Sequence, residues 1–154
     1  MTTIPATIAI GSDHAGLALK EALRAALEAA GHPVTDVGTH GPESVDYPDF
    51  AHTVCATVAE GRAARGVLVC GTGIGMAIAA NRHPGIRAVV LHDTTEARLT
   101  RAHNDANVAC FGARTSGVET ALDALRVFLD TPYEGGRHDR RLAKLSPAGA
   151  KADA

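Results

Sequence analysis

Short apolar runs alternate along the chain with longer stretches of helical periodicity. The five runs cover residues 7–10, 34–37, 67–70, 87–91 and 108–111. Their length and β-branched content predict strands. The predicted helices cover residues 17–30, 49–60, 74–81, 94–103 and 118–129. This alternation predicts an α/β fold: a Rossmann-like, doubly wound sheet of five parallel strands flanked by helices, with ligands at the carboxyl ends of the strands.

The alternation ends near Pro132 and the paired glycines at 135 and 136, which predict a turn. We therefore expect a Rossmann-like α/β/α domain over residues 1–136 and a C-terminal tail over residues 137–154, in a chain that forms a single domain overall. Residues 137–145 have the pattern of a short helix, although the clustered positive charge is equally typical of a solvated tail.

Composition narrows the classes of function. The 154 residues include 15 Lys+Arg against 17 Asp+Glu, a net charge of -2, so no general field attracts nucleic acid. No apolar run approaches the ~18 residues of a membrane span, and the first residues lack a signal-type pattern. We therefore expect a cytoplasmic protein without nucleic-acid or membrane partners. An odd number of cysteines without CxxC spacing argues against disulfides and structural zinc.

The strongest local motif is a buried strand that runs into a glycine-rich turn and then a helix, over residues 67–76. Gly71, Gly73 and Gly75 have GxGxG spacing, which is neither a Walker loop nor the dinucleotide motif GxGxxG. Converging N–H groups and the following helix terminus favour an anion site. Close packing of helix on strand is the structural alternative.

Cys70 ends the third predicted strand at the mouth of this turn. Converging N–H groups there would stabilise a thiolate that acts as a base or nucleophile. The alternative is packing, because free cysteine commonly fills core volume, and packing is our interpretation of Cys55 and Cys110. A thiol-redox function is weaker, because no resolving cysteine is near Cys70 in the sequence.

Two further segments offer acid/base groups. Asp13 and His14 follow the first strand, where one could accept a proton from a hydroxyl and the other contact an anion. A helix N-cap role for Ser12 or Asp13 is a compatible alternative. His103 closes the fourth helix, and we expect the chain to return there to the sheet edge that bears Cys70, which would make His103 a general acid/base. Completion of the last helix carbonyls is the alternative.

Seven segments occur in order over nearly the whole chain. They are GSDHAG at 11–16, DYPDFA at 46–51, CGTGIGMAIAAN at 70–81, GIRAV at 85–89, RAHNDANV at 101–108, FGAR at 111–114 and YEGGRHDRR at 133–141. Together they resemble ribose-5-phosphate isomerase B, a family that also includes isomerases of galactose 6-phosphate, allose 6-phosphate and tetrulose phosphates. The series is far more specific than any one segment.

The resemblance implies a homodimer or a tetramer with shared active sites, a phosphorylated sugar as substrate, and no metal or cofactor. It implies that Cys70 is the base that moves a proton between C1 and C2, with Thr72 beside it, and that Asp13 and His103 open the sugar ring. The other implied substrate contacts are Tyr47, Gly71, Gly73, Ile74, Gly75 and Asn104. The implied groups around the phosphate are His14, Arg114, Arg137, His138 and Arg141, with the tail arginines reaching the partner subunit's site.

The implied reaction is the aldose–ketose isomerisation of ribose 5-phosphate to ribulose 5-phosphate through an enediolate. One branch of the family carries a glutamate base inside the loop, but this chain has Met76 at that position and keeps Cys70, as in the cysteine branch. A non-catalytic nucleotide- or phosphate-binding module is the alternative from another class. The length of the sugar stays open, because it depends on loops such as residues 39–46.

Overall fold

The computed structural model describes residues 5–146, so the part of the predicted tail from 147 to 154 lies outside the described residues. Strands and helices alternate over the described part. The strands are β1 (Ile8–Ser12), β2 (Val34–Asp36), β3 (Arg65–Cys70), β4 (Ala88–Val90) and β5 (Val108–Gly112). The helices are α1 (Leu17–Ala29), α2 (Tyr47–Ala59), α3 (Ile74–Ala80), α4 (Thr94–Asn104), α5 (Val118–Asp130) and α6 (Arg137–Ala143).

All five strands are parallel and form one sheet in the order β2-β1-β3-β5-β4. The central strand β3 pairs with β1 and β5. Because the strands are parallel, all their carboxyl ends lie at one edge of the sheet, here called the carboxyl edge, and all their amino ends lie at the other, the amino edge. The predicted Rossmann-like α/β fold is confirmed.

Two apolar layers enclose the sheet. Helices α1, α4 and α5 cover one face with side chains such as Leu23 and Phe128. Helices α2 and α3 cover the other with side chains such as Val54 and Met76. Small residues let the layers approach closely, since a Cβ placed on Gly66 would lie 2.7 Å from the Val54 side chain. None of the helices over residues 5–146 is long and apolar enough to cross a membrane.

Two element boundaries differ from the sequence prediction in an informative way. Helix α2 begins at Tyr47 rather than at residue 49, because Pro48 occupies the first helical turn, where a missing N–H costs nothing. Strand β1 extends to Ser12, which is in register with Val69 of β3. Both shifts carry polar residues to the carboxyl edge.

Candidate active site

Three loops meet at the carboxyl edge, after β1, β3 and β5. Their backbones approach so closely that side chains are excluded: a Cβ on Gly16 would lie 2.5 Å from the Val69 carbonyl oxygen, and one on Gly112 would lie 2.6 Å from the Thr72 carbonyl carbon. Real Cβ contacts are longer than this, so glycine is needed at both positions. The loops therefore form one packed unit.

Cys70 is the last residue of β3 and its side chain faces this unit. It is a free thiol with 5% of its surface exposed. The Gly73 N–H donates a hydrogen bond to Sγ over 3.1 Å. Gly73 has φ +78°, in the left-handed region that favours glycine. An N–H held against the sulfur stabilises negative charge on it.

The N–H donors of the glycine turn are of two kinds: those that bond within the protein and those that do not. The Gly73 N–H is committed to the sulfur, and the Ile74 N–H donates to Thr72 Oγ1 over 3.3 Å. Within residues 5–146, the N–H groups of Gly71 and Thr72 donate to no protein acceptor. Because Thr72 Oγ1 already accepts a hydrogen bond, its hydroxyl proton is available to a ligand. The loop thus offers three donors to an anion.

Two side chains from neighbouring elements cover the glycine turn. The Arg114 side chain passes 3.5 to 3.6 Å from the position that a Cβ on Gly71 would take. The backbone N–H of Arg114 donates to the Gly71 carbonyl over 2.9 Å. The Tyr47 ring lies over Gly75, where a Cβ would be 2.6 Å from Cε2. Both were predicted as site residues, and the structure brings both to the loop.

Asp13 is fixed at the same edge, against Val69 of β3. It is buried, its N–H donates to the Val69 carbonyl over 3.2 Å, and its Oδ1 accepts the Gly16 N–H over 3.0 Å. Asp13 therefore organises the turn before α1, whose N-cap position is Gly16. Within residues 5–146, no hydrogen bond to its other carboxylate oxygen is present.

His14, the next residue, is exposed, and a hydrogen bond fixes the orientation of its ring. Its Nδ1 accepts the Val45 N–H over 3.2 Å. A nitrogen that accepts cannot carry a proton, so the neutral ring holds its proton on Nε2. His14 therefore presents an N–H donor to a ligand.

His103 lies at the other edge, so the expectation that it shares an edge with Cys70 is wrong. Helix α4 ends at Asn104, just before β5 starts at Val108, whereas Cys70 is level with Gly112 at the end of β5. Four residues of strand separate the two levels by about 13 Å. A helix that enters a parallel strand always ends at the amino edge.

The tail residues join His103 at the amino edge. The Glu134 N–H donates to the Ala102 carbonyl of α4 over 3.0 Å, which places α6 against α4. His138 is buried and stacks on His103 with ring centroids 4.4 Å apart and 19° between the planes. Arg137, Arg141 and Asn104 are exposed around this pair.

The predicted site residues thus form two groups. The carboxyl-edge group contains Asp13, His14, Tyr47, Cys70, Gly71, Thr72, Gly73, Ile74, Gly75 and Arg114. The amino-edge group contains His103, Asn104, Arg137, His138 and Arg141. One chain does not bring these groups together.

Sequence reasoning missed Glu134, whose carboxylate oxygen lies 3.5 Å from His138 Nε2 and 3.9 Å from His103 Nε2. Glu134 precedes α6, and the turn at Gly135 and Gly136 brings it to His138, so no helical spacing in the sequence could have found it.

The other two cysteines are packing residues, as predicted. Cys55 and Cys110 are fully buried. Burial raises the pKa of the Cys55 thiol to about 12 and raises that of Cys110 well above its usual value. Neither thiol is a nucleophile near neutral pH.

Known proteins match this chain over most of its length. The family model described as Ribose/Galactose Isomerase matches residues 8–145. Ribose-5-phosphate isomerase B of Escherichia coli is 45% identical, over 90% of this chain and 93% of its own. D-erythrulose-4-phosphate isomerase of Pectobacterium atrosepticum is 41% identical, over 90% of this chain and 92% of its own. The structure of Clostridium thermocellum ribose-5-phosphate isomerase B is 47% identical with a TM-score of 0.89, covering 90% of this chain and 94% of that chain.

The chain belongs to the ribose/galactose isomerase family. The resemblance drawn from its motifs is confirmed, and the chain is an enzyme rather than a non-catalytic nucleotide- or phosphate-binding module.

We predict that Gly75→Ala displaces the Tyr47 ring without destabilising the protein. The new methyl group would lie 2.6 Å from Tyr47 Cε2 and 2.9 Å from its hydroxyl oxygen, while alanine in a helix is about 0.5–1 kcal/mol more favourable than glycine. Iodide quenching of tyrosine fluorescence should increase, because the chain has no tryptophan and two tyrosines. Gly117→Ala is the control, since a Cβ there meets nothing within 4 Å. Equal quenching in both variants would contradict the predicted displacement.

Proposed function

We propose that this enzyme interconverts ribose 5-phosphate and ribulose 5-phosphate, with Cys70 as the base, at a site shared by two copies of the chain. The observation that carries the proposal is the Gly73 N–H bond to Cys70 Sγ at 3.1 Å, with free N–H groups beside it in the same turn. A base and an anion site side by side suit the removal of a proton next to a carbonyl.

The reaction starts with the opening of the sugar ring, because the ring form masks the carbonyl. Opening moves a proton from the anomeric hydroxyl to the ring oxygen. The free oxygen of Asp13 accepts the first proton, and His103 donates to the ring oxygen. Such positioned acid/base groups contribute about 10²–10⁴-fold each.

Proton transfer between carbons follows. The Cys70 thiolate removes the proton from C2 of the open aldose, and negative charge moves to the oxygen on C1. The N–H groups of Gly71 and Thr72 and the Thr72 hydroxyl stabilise that charge, and one such donor contributes about 3–4 kcal/mol. The proton returns to C1 while a second proton moves from O2 to O1, which gives the ketose.

The phosphate binds away from the reacting carbons. Arg137 and Arg141 are exposed on α6, and Arg114 lies over the glycine turn. Guanidinium groups bind phosphate through paired N–H donors, and His14 and His138 are further candidates to bind it. Phosphate binding holds the sugar so that C1 and C2 lie next to the Cys70 base.

Two copies are required because the acid and the base lie at opposite edges of one sheet. In a twofold dimer the amino-edge group of each copy can face the carboxyl-edge group of the other. This arrangement supplies both sites with a complete set of residues. It is also consistent with α6, which lies against its own α4 and directs its arginines outward.

The face that best fits the second copy is formed by α3 and the edge strand β4. Ile74 and Ile78 are each 55% exposed on α3, and a hollow between them and Val90 is lined by Ala77, Asn81 and Arg82. Large exposed apolar side chains in a cluster are typical of protein interfaces. Since α3 starts at the glycine turn, a partner on this face would lie beside Cys70.

Conversion of sugar phosphates tests the reaction. With EDTA present and no added cofactor, we expect turnover of ribose 5-phosphate to exceed that of four- and six-carbon sugar phosphates. Cys70→Ala should reduce kcat by at least about 10²-fold, the contribution of a positioned base, and Cys55→Ala is the thiol control. Near-normal kcat in Cys70→Ala would refute the base assignment, and preferred turnover of a four- or six-carbon sugar would refute the substrate.

Mixed subunits test the shared site. Cys70→Ala and His103→Ala chains should each be inactive alone, but unfolding and refolding them together gives dimers of which half are mixed. Each mixed dimer has one intact site of two, so about a quarter of the wild-type activity should return. A site within one chain would give no recovery.

Interface variants test the α3 face. We expect Ile78→Glu to convert dimers to monomers in light scattering and to abolish turnover, because it places a charge in the apolar contact. Val118→Glu is the control, since Val118 is 48% exposed at the start of α5 in the opposite layer. A dimeric and fully active Ile78→Glu protein would exclude this face.

A further inference from the structure

Three potential metal ligands lie together at the amino edge, two of them histidines of the amino-edge group. His103, Glu134 and His138 each offer one ligand atom, and the three atoms lie within 4.8 Å of one another. Two imidazole nitrogens and one carboxylate oxygen form a donor set that zinc uses with a fourth position open. The steps proposed above assign no role to Glu134.

His138 gives an independent indication of a ligand. The residue is 4% exposed, and its Nε2 has no hydrogen-bond partner within residues 5–146. The Glu134 carboxylate oxygen lies 3.5 Å from this nitrogen. A buried imidazole nitrogen without a partner is costly, and a bound cation would satisfy it.

We propose that His103, Glu134 and His138 form a binding site for a divalent transition-metal ion of the Zn²⁺ type. The site closes by small side-chain movements. Zinc ligands lie about 2.0–2.2 Å from the ion, so the rings must turn from their stacked arrangement and the carboxylate must move inward. Glu134 and His103 have that freedom, because their side chains are 53% and 36% exposed.

An ion at this site would inhibit the proposed isomerase reaction. Coordination occupies the Nε2 lone pair of His103, which then cannot exchange a proton with the sugar. The arginines of α6 add positive charge close by and weaken the site, so exchangeable binding is expected rather than a permanent structural ion. This consequence rests on the proposed function, whereas the binding itself does not.

Zinc binding to the purified protein tests the site directly. In competition with a chromophoric chelator, we expect one Zn²⁺ per chain. Glu134→Gln should weaken binding at least about tenfold, because even outer-shell partners of a metal contribute 10–100-fold. Glu119→Gln on α5 is the control for loss of a surface carboxylate, and circular dichroism checks the fold of each variant.

Two outcomes would overturn the proposal. One is wild-type affinity in both Glu134→Gln and His138→Gln. The other is loss of binding in Cys70→Ala, which would place the ion on the thiol.

Inhibition is measured separately from binding. Zn²⁺ should lower turnover of ribose 5-phosphate in proportion to occupancy, EDTA should restore it, and Glu134→Gln should shift the inhibition curve to at least about tenfold higher zinc. Full occupancy without inhibition would overturn the inhibitory role. If the protein isomerises no sugar phosphate, the proposed function fails, but the binding experiment still decides the metal site.

Discussion

The carboxyl edge depends on backbone contacts that leave no room for side chains. Gly16 presses against the Val69 carbonyl, Gly112 against Thr72, and Gly73 lies against the backbone of β5. These contacts lock three loops together, so the N–H groups around the Cys70 sulfur are held in place before any ligand arrives. Preorganised donors stabilise a developing anion without the cost of reorienting solvent. The site is therefore built mainly from backbone, on rigid strand ends.

Parallel topology then sets a second constraint. A helix that precedes a parallel strand ends at the amino edge. Helix α4 therefore places His103 at the amino edge, whereas Cys70 lies at the carboxyl edge. A reaction that needs both groups needs two copies of the chain. In the proposed dimer, each copy contributes the thiol to one site and the imidazole with its neighbouring arginines to the other. Under the proposed function, catalysis is coupled to assembly, because a separated monomer would hold the proposed base without the proposed acid.

Much of this architecture follows from local sequence. The alternation of apolar runs and helical periodicity predicts the sheet, and the glycine turn after a buried strand predicts the place of Cys70. The edge that bears His103 does not follow from the position of this residue in the chain alone, because it depends on the direction of the strand that follows α4. Glu134 was missed because its contact with His103 arises from the packing of α6 on α4, which no local pattern encodes. The direction of β5 and the packing of α6 on α4 decide where His103 and Glu134 lie.

At His103, the proposed proton transfer and the proposed zinc binding compete for the same Nε2 lone pair. A nitrogen that can accept and donate a proton near neutral pH is also a good ligand for zinc. The proposed reaction, which relies on free His103, therefore benefits from whatever keeps metal affinity low, and the positive charge of the α6 arginines lowers the affinity for a cation. The same positive charge thus favours the anionic substrate and opposes the cation.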